Sequence, residues 1–232
     1  MPEIELFTAN FSPFAQRVRL ALLEKSIDYW HTEIDLQNKP EWFTVISPLG
    51  EVPVIRHEDR FVTDSTVILD YLEDVYPSPA LRPRDPGRRA VTRLWMEYAD
   101  EKLAPAVLGA IKAQGDARAQ ASAWLRDVLI FIEREGLARC GRGPYWLGQE
   151  FSLLDVVYYP LFERLPAIHT GQVGGALPLL SIRLRYWLDA MRERPSVQAT
   201  QNPVEAHTRA IQTYLGIKPQ RRRVGNVEYL QA

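Results

Sequence analysis

The chain has 232 residues, 46% of them hydrophobic, and its 28 Lys and Arg nearly balance 29 Asp and Glu for a formal net charge of −1. That length and apolar content support a sizeable core in one large domain or two small ones, and the balanced charge carries no signature of a polyanion partner such as nucleic acid. A single cysteine, Cys140, excludes an intrachain disulfide and fits a reducing compartment.

The opening residues, MPEIELF, show no basic region followed by an apolar stretch, so no secretory signal is expected. No apolar run approaches the ~20 residues needed to cross a bilayer. The expectation is a soluble, cytoplasmic protein with no membrane partner. EIELFT alternates apolar Ile4 and Leu6 with acidic neighbours, a short strand over 3–8. In FSPFAQRVRLALLEK, Ser12 and Pro13 stand in front of a helix over 13–25, with Ala15, Val18, Ala21 and Leu22 on one stripe. IDYWHTEIDL, 27–36, is aromatic and β-branched and reads as a second strand; KPEWFTVISP gives a short helix or turn. EVPVIRHEDRFVTDS reads as two short strands around a turn, and STVILDYLEDV as a helix over 65–75. The order β-α-β-(α)-β-β-α is that of a compact α/β unit.

Composition then shifts. YPSPALRPRDPGRRA contains four prolines, at 77, 79, 83 and 86, and reads as a linker. Everything beyond it has helical periodicity. Val91, Leu94, Trp95 and Tyr98 recur within 88–112, where Pro105 is expected to bend or break the rod. Ala121, Leu125, Val128 and Ile132 repeat the pattern over 117–135. FSLLDVVYYPLFERL carries a capping box, Ser152 with Asp155, and a staple pair, Phe151 with Val156. That segment is apolar nearly all round and is expected to be the central buried helix of this half. LPLLSIRLRYWLDAMRER and PVEAHTRAIQTYL supply two more helices, and Arg221 to Arg223 read as a solvated tail. Cys140 lies in a loop-like stretch, no His/Cys cluster around it has metal-ligand spacing, and no metal is expected.

Three positions in the first unit carry chemical interest. Ser12 precedes a helix, where free N–H groups and the positive end of the macrodipole favour an anion such as a ligand's sulfur or oxygen. Val52-Pro53 enters a strand; proline is tolerated at a strand start, and a cis bond there would turn the main chain of Val52 outward to pair with an extended peptide. Asp64 and Ser65 open a helix whose N-terminal amides and hydroxyl suit a carboxylate. Each also has a plain structural reading, as turn proline or helix cap.

In this order and spacing, the serine-proline, Val-Pro and Asp-Ser motifs resemble the glutathione transferase family. PFAQRVRLAL, NKPEWFTVISPLGEVPV and DSTVILDYLEDVYP look most like its omega-type and related bacterial members, and SLLDVVYYP matches the family's buried capping-box helix. The resemblance covers most of the chain. It implies an α/β thioredoxin-like N-terminal domain over 1–77 that binds glutathione, plus an all-α C-terminal domain over 87–232 that covers a second substrate. By the same resemblance Ser12 would be catalytic and hydrogen-bond the glutathione sulfur. Phe14 would wall the thiol pocket, and Lys39 would face the glycyl carboxylate. Val52 would pair with the cysteinyl backbone on a strand shaped by Pro53, and Asp64 and Ser65 would hold the γ-glutamyl end. A homodimer is implied as well.

The chain departs from omega-type members at two of these positions. They carry cysteine where this chain has Ser12, and a hydroxyl can form no mixed disulfide, so thiolate stabilisation rather than thiol exchange is implied. Asp64 replaces a glutamate one methylene longer. Trp95, Tyr98, Trp124, Tyr158 and Phe162 are candidates for the second-substrate wall, each with a competing role in the core. The implied function is conjugation of the glutathione thiolate to a small electrophile. The alternatives are glutathione-dependent isomerisation or ether cleavage, or a non-catalytic role as a partner of the transcription machinery, as in some proteins of this fold; the retained peptide-site motifs argue against the last.

Overall fold

The computed structural model describes residues 2–170 and 181–217, and the backbone of two further strands, Arg221–Val224 and Val227–Leu230. Its first half is built on the strand Ile4–Thr8 (β1) and the helix Pro13–Glu24 (α1). A second strand, Tyr29–Glu33 (β2), pairs parallel with β1. It is shorter than its aromatic sequence suggests. A six-residue helix follows, Glu41–Ile46 (α2), and then two antiparallel strands, Val54–His57 (β3) and Arg60–Thr63 (β4). The sheet order is β2-β1-β3-β4, with β3 antiparallel to β1, and the helix Ser65–Val75 (α3) closes the unit. This is the thioredoxin-like arrangement.

Of the stripe expected on α1, Val18, Ala21 and Leu22 lie on one face of this sheet, while Ala15 falls on the other. Ile4 and Leu6 from β1, Leu20 and Leu22 from α1, and Ile68, Leu69 and Leu72 from α3 share a single buried cluster. The other face is smaller: Phe7, Ala15, Val52 and Val54 gather around Phe43 of α2.

The proline-rich segment between α3 and the next helix forms no regular element, yet it is anchored. Lys25 and Glu73, both buried, pair at 2.7 Å. The Lys25 ammonium also donates to the carbonyls of Tyr76 and Pro79 at 2.7 and 2.8 Å, and Glu73 accepts the N–H groups of Leu81 and Arg82. A buried charge pair fully satisfied by main chain fixes the course of a segment that has no ladder of its own.

The second half is helical. Asp85 caps Pro86–Tyr98 (α4), accepting the N–H of Arg88 at 2.7 Å. That helix continues through a π-helical turn, Ala99–Leu103, into Ala104–Lys112 (α5). The widened turn lies just ahead of Pro105, which lacks an N–H and crowds the carbonyl four residues back, so the rod is interrupted where the sequence expected. Ala117–Phe131 (α6) passes through a second π turn, Ile132–Leu137, to a single turn at Ala138–Cys140 (α7).

Leu153–Glu163 (α8) is the buried centre of this half, with every residue from Leu153 to Phe162 inaccessible. Its capping-box Asp155 does more than cap. One oxygen accepts the Trp146 N–H at 2.8 Å and the Trp187 indole N–H at 2.7 Å, while the other accepts both the N–H and the hydroxyl of Ser152. Burial pushes the Asp155 carboxyl up, against the pull of these donors.

Leu165–Thr170 (α9), Ile182–Arg192 (α10), Pro195–Thr200 (α11) and Val204–Tyr214 (α12) complete the bundle; residues 177–180, the expected start of α10, lie outside the described residues. Arg221 to Arg223, read from the sequence as a tail, run instead as a strand (β5) paired antiparallel with Val227–Leu230 (β6). Among the described residues no helix is long and apolar enough to cross a membrane.

Candidate functional site

The strand registers bring the three sequence motifs to one edge of the sheet. Phe7 near the end of β1 faces Val54 at the start of β3, which in turn faces Thr63 at the end of β4. The segments running off that edge are therefore the turn to Ser12, the approach through Val52-Pro53, and Asp64-Ser65. β2 runs parallel to β1, so Glu33 and the chain that follows toward Lys39 leave from the same edge.

Ser12 is the N-cap of α1, and its hydroxyl oxygen accepts the Ala15 N–H at 3.2 Å. A hydroxyl that accepts through its oxygen still has its own proton to donate. Capping and anion binding are therefore compatible in one side chain, and the hydroxyl lies at the positive end of a 12-residue helix.

Val52 and Pro53 are joined by a cis peptide bond, and β3 begins at Val54. Val52 is buried beneath Phe43 and Val54 in the smaller core. Lys39 is exposed and arches over Gly50: a Cβ placed on that glycine, at φ +64°, would lie 3.1 Å from the Lys39 ammonium. The lysine thus reaches the approach to Val52 because residue 50 has no side chain.

Asp64 sits at φ +69°, and one carboxylate oxygen accepts the N–H groups of Thr66 and Val67 at 2.8 and 3.1 Å. Ser65 is buried and its hydroxyl accepts from Arg17 at 3.1 Å. Arg17 itself is fully buried. It donates to Val157 O and to Asp100, which also accepts the Thr66 hydroxyl. Ser65 is thereby oriented from α1 and, through Asp100, from the helical half. Phe14 packs on the main core with the Arg17 guanidinium 5.0 Å from its ring centre. Of the site residues expected from the sequence only Ser12 lines the interdomain cleft; Phe14, Lys39, Val52, Pro53, Asp64 and Ser65 do not.

That cleft, of about 900 Å³, lies between the two halves. The turn Ala9–Pro13 and the Glu33–Gln37 stretch form one side; Val107, Leu108 and Ile111 of α5 and Ile211 and Tyr214 of α12 form the other. None of the five aromatic residues proposed from the sequence for the second wall lines it. Trp95, Tyr158 and Phe162 are buried core, and Trp124 packs on Gly109. The apolar part of that wall is instead aliphatic with Tyr214 beside it, and Phe11 belongs to the opposite side.

Arg164 and His207 also line the cleft, and neither stood out in the sequence. Both are buried and belong to a polar cluster with Gln16 and Glu163. Burial pushes the Arg164 guanidinium down to about 10, against the pull of Glu163. Burial also works on Glu163 in the opposite sense, but the His207 hydrogen bond, Arg164, the Asn202 N–H and Gln16 outweigh it and hold the carboxyl below its ordinary range. The signal available beforehand was an Arg directly after Glu at the end of an otherwise apolar helix.

Residues 6–80 match the family model described as glutathione S-transferase, N-terminal domain. The chain is 31% identical over 199 residues to glutathione S-transferase omega-1 of Sus scrofa, covering 84% of this chain and 79% of that relative. To pyrimidodiazepine synthase of Drosophila melanogaster it is 33% identical over 216 residues, 90% of this chain and 85% of the relative. Among solved structures, that of rice GST1 in complex with glutathione superposes with a TM-score of 0.80, covering 93% of this chain and 97% of that one at 26% identity. At such identity across both the sheet and the helical half, the chain belongs to the glutathione transferase family.

Proposed function

We propose that the protein conjugates glutathione to a small electrophile held in the interdomain cleft, with Ser12 as the group that stabilises the thiolate. The observation that carries this reading is the placement of Ser12: a helix N-cap whose hydroxyl proton is unspent, on the wall of a largely apolar cleft. Residues 1–77 form the glutathione-binding unit and 87–232 the second-substrate unit. Asp64 and Ser65 take the γ-glutamyl end, Val52 with Pro53 the cysteinyl backbone, and Lys39 the glycyl carboxylate. The solved structure of rice GST1 is a complex with glutathione, which supports the assignment.

The energetics suffice without a general base. Lowering a thiol pKa by ~2 units needs ~2.7 kcal/mol of preference for the thiolate. A hydrogen bond to a charged group supplies ~1.5–3 kcal/mol, and the helix terminus adds ~0.3–1 kcal/mol. The thiolate then attacks the electrophilic carbon. Glutathione-dependent isomerisation or ether cleavage is the second reading; the 33% identity to a relative named pyrimidodiazepine synthase is consistent with chemistry other than conjugation.

Ser12→Ala tests the role of the hydroxyl. It should raise the pKa of bound glutathione toward its free value, read by the ultraviolet absorbance of the thiolate, and lower turnover, with a stability loss of only about 1 kcal/mol. Ser12→Asp caps about as well as serine, yet should be worse in activity because its carboxylate repels the thiolate. Unchanged pH profiles in both variants would leave Ser12 as a cap alone.

The protein acts as a homodimer in this reading. Trp42, Phe61 and Val67 expose apolar surface on the sheet unit, as do Val91 and Leu94 on α4, and a two-fold pairing would cover it. A stable monomer in light scattering at micromolar concentration would count against it.

A further inference from the structure

The main chain around Ser12 is tied down carbonyl by carbonyl. Ala9 O accepts the Ser12 N–H at 2.9 Å, Asn10 O accepts from Arg19 at 3.0 Å, and Ser12 O accepts the Gln16 N–H at 3.1 Å. The Asn10 N–H donates to Glu33. All of these partners belong to the sheet unit. The carbonyl of Phe11, directly before Ser12, is different: it accepts from the Arg164 guanidinium at 2.9 Å, across the domain boundary.

Arg164 is itself held rigidly. Its other terminal nitrogen donates to Gln16 at 2.9 Å and to the carbonyl of Pro160. Gln16 donates in turn to Glu163 at 2.7 Å, and Glu163 accepts from the Asn202 N–H at 3.0 Å and from His207 at 2.6 Å. His207 sits edge-on to Phe11 with ring centres 5.9 Å apart. Burying a guanidinium is unfavourable, and a buried ion pair is weak support for stability. What the planar fork does supply is direction: two nitrogens address two different segments at fixed angles, which an ammonium on a flexible stem cannot do.

We propose that Arg164 is a positioning residue for Ser12: by holding the Phe11 carbonyl it sets the direction in which the Ser12 hydroxyl meets the glutathione sulfur, and so couples the helical wall of the cleft to the thiolate site. The proposal rests on the reading of Ser12 as the thiolate donor. The hydrogen bonds of Arg164 go to Phe11 O, Gln16 and Pro160 O, and its charge is matched by Glu163, so it reaches Ser12 through the turn although it also lines the cleft. Misplacing a donor by a fraction of an ångström weakens it steeply, so a small shift of Phe11 is felt as lost turnover.

The test is a double-mutant cycle on the pKa of bound glutathione and on kcat, with Ser12→Ala, Arg164→Lys and the double variant. Arg164→Lys keeps the positive charge and removes the fork. It should raise the thiol pKa and lower kcat by about tenfold, with glutathione affinity within about twofold of the parent. In the Ser12→Ala background the same substitution should change neither quantity further. A full Arg164→Lys effect that persists without the Ser12 hydroxyl overturns the proposal, as does an Arg164→Lys protein with unaltered pKa and kcat. If Ser12→Ala alone leaves the thiol pKa unmoved, the thiolate-donor reading fails instead, which separates the two. Should Arg164→Lys not fold, Gln16→Met, which removes an anchor of Arg164 and leaves its charge, reads the same cycle with the same expected non-additivity, and an additive result overturns the proposal.

Discussion

At Asp64 two effects of opposite sign meet in one residue. A non-glycine side chain at φ +69° carries backbone strain of order 1–3 kcal/mol, while its carboxylate satisfies two N–H groups at the start of α3. Asp64→Ala keeps the strain and loses the cap, so it should destabilise by about 1–2 kcal/mol. Asp64→Gly loses the cap as well but relieves the strain, and glycine is a tolerable N-cap, so its stability should stay within about 1 kcal/mol of the parent. Urea unfolding of the two variants decides it: alanine more stable than glycine would refute the account. Ser12, Asp64 and the Ser152–Asp155 pair were legible in the sequence because capping is local, a matter of which residue precedes a periodic run. Arg17 and Arg164 were not. Each looks like a solvated charge on its own helix, and each is buried only because a distant carbonyl, Val157 O or Phe11 O, arrives to meet it.

The sheet unit and the longer helices followed from periodicity, the short helices α7, α9 and α11 did not, and the irregularities follow from packing. The second π turn, Ile132–Leu137, places Gly136 against two indoles: an added Cβ would lie 2.9 Å from Trp146 and 3.2 Å from Trp95. Helix propensity alone favours Gly136→Ala by about 1 kcal/mol. Both rings are buried and hemmed in, Trp146 by Tyr158 at a centroid distance of 3.9 Å, so they cannot yield. Overpacking of this kind runs to about 1–3 kcal/mol and should win. Gly136→Ala is therefore expected to lower the urea midpoint at unchanged slope, and a raised midpoint would show that the turn had room. Nothing in the sequence around Gly136 marks this, since the two indoles come from elsewhere in the chain. The strand at Arg221–Val224 escaped for a similar reason: a run of three arginines has no alternating pattern, and its pairing with Val227–Leu230 is visible only in the fold.

The two halves of the molecule share α1 as a common element, and the charges that bind them are placed along it. Gln16 bonds Glu163, Arg17 bonds Asp100 and Val157 O, and Glu24 accepts from Arg194 and Ser196. Further along the chain Lys25 holds the linker. A change of composition at the prolines divided the sequence in two, but it gave no measure of how firmly the halves are joined. With Arg17 and Gln16 fully buried between them, separating the halves would expose or orphan these groups, each a penalty of about 1–3 kcal/mol, on top of the apolar face of α1. The molecule should therefore unfold as one unit. Far-ultraviolet circular dichroism follows all its helices, whereas tryptophan fluorescence weights the helical half, where Trp146 and Trp187 are fully buried while Trp30 and Trp42 in the sheet unit are exposed. The two urea transitions should coincide. Arg17→Met, which removes the donor to Ser65 and Val157 O and leaves the Asp100 carboxylate with the Thr66 hydroxyl, should move both midpoints down together, by the equivalent of about 1–3 kcal/mol. A parent protein whose fluorescence transition is complete while ellipticity remains would show that the halves unfold separately and that the charges along α1 do not bind them into one cooperative structure.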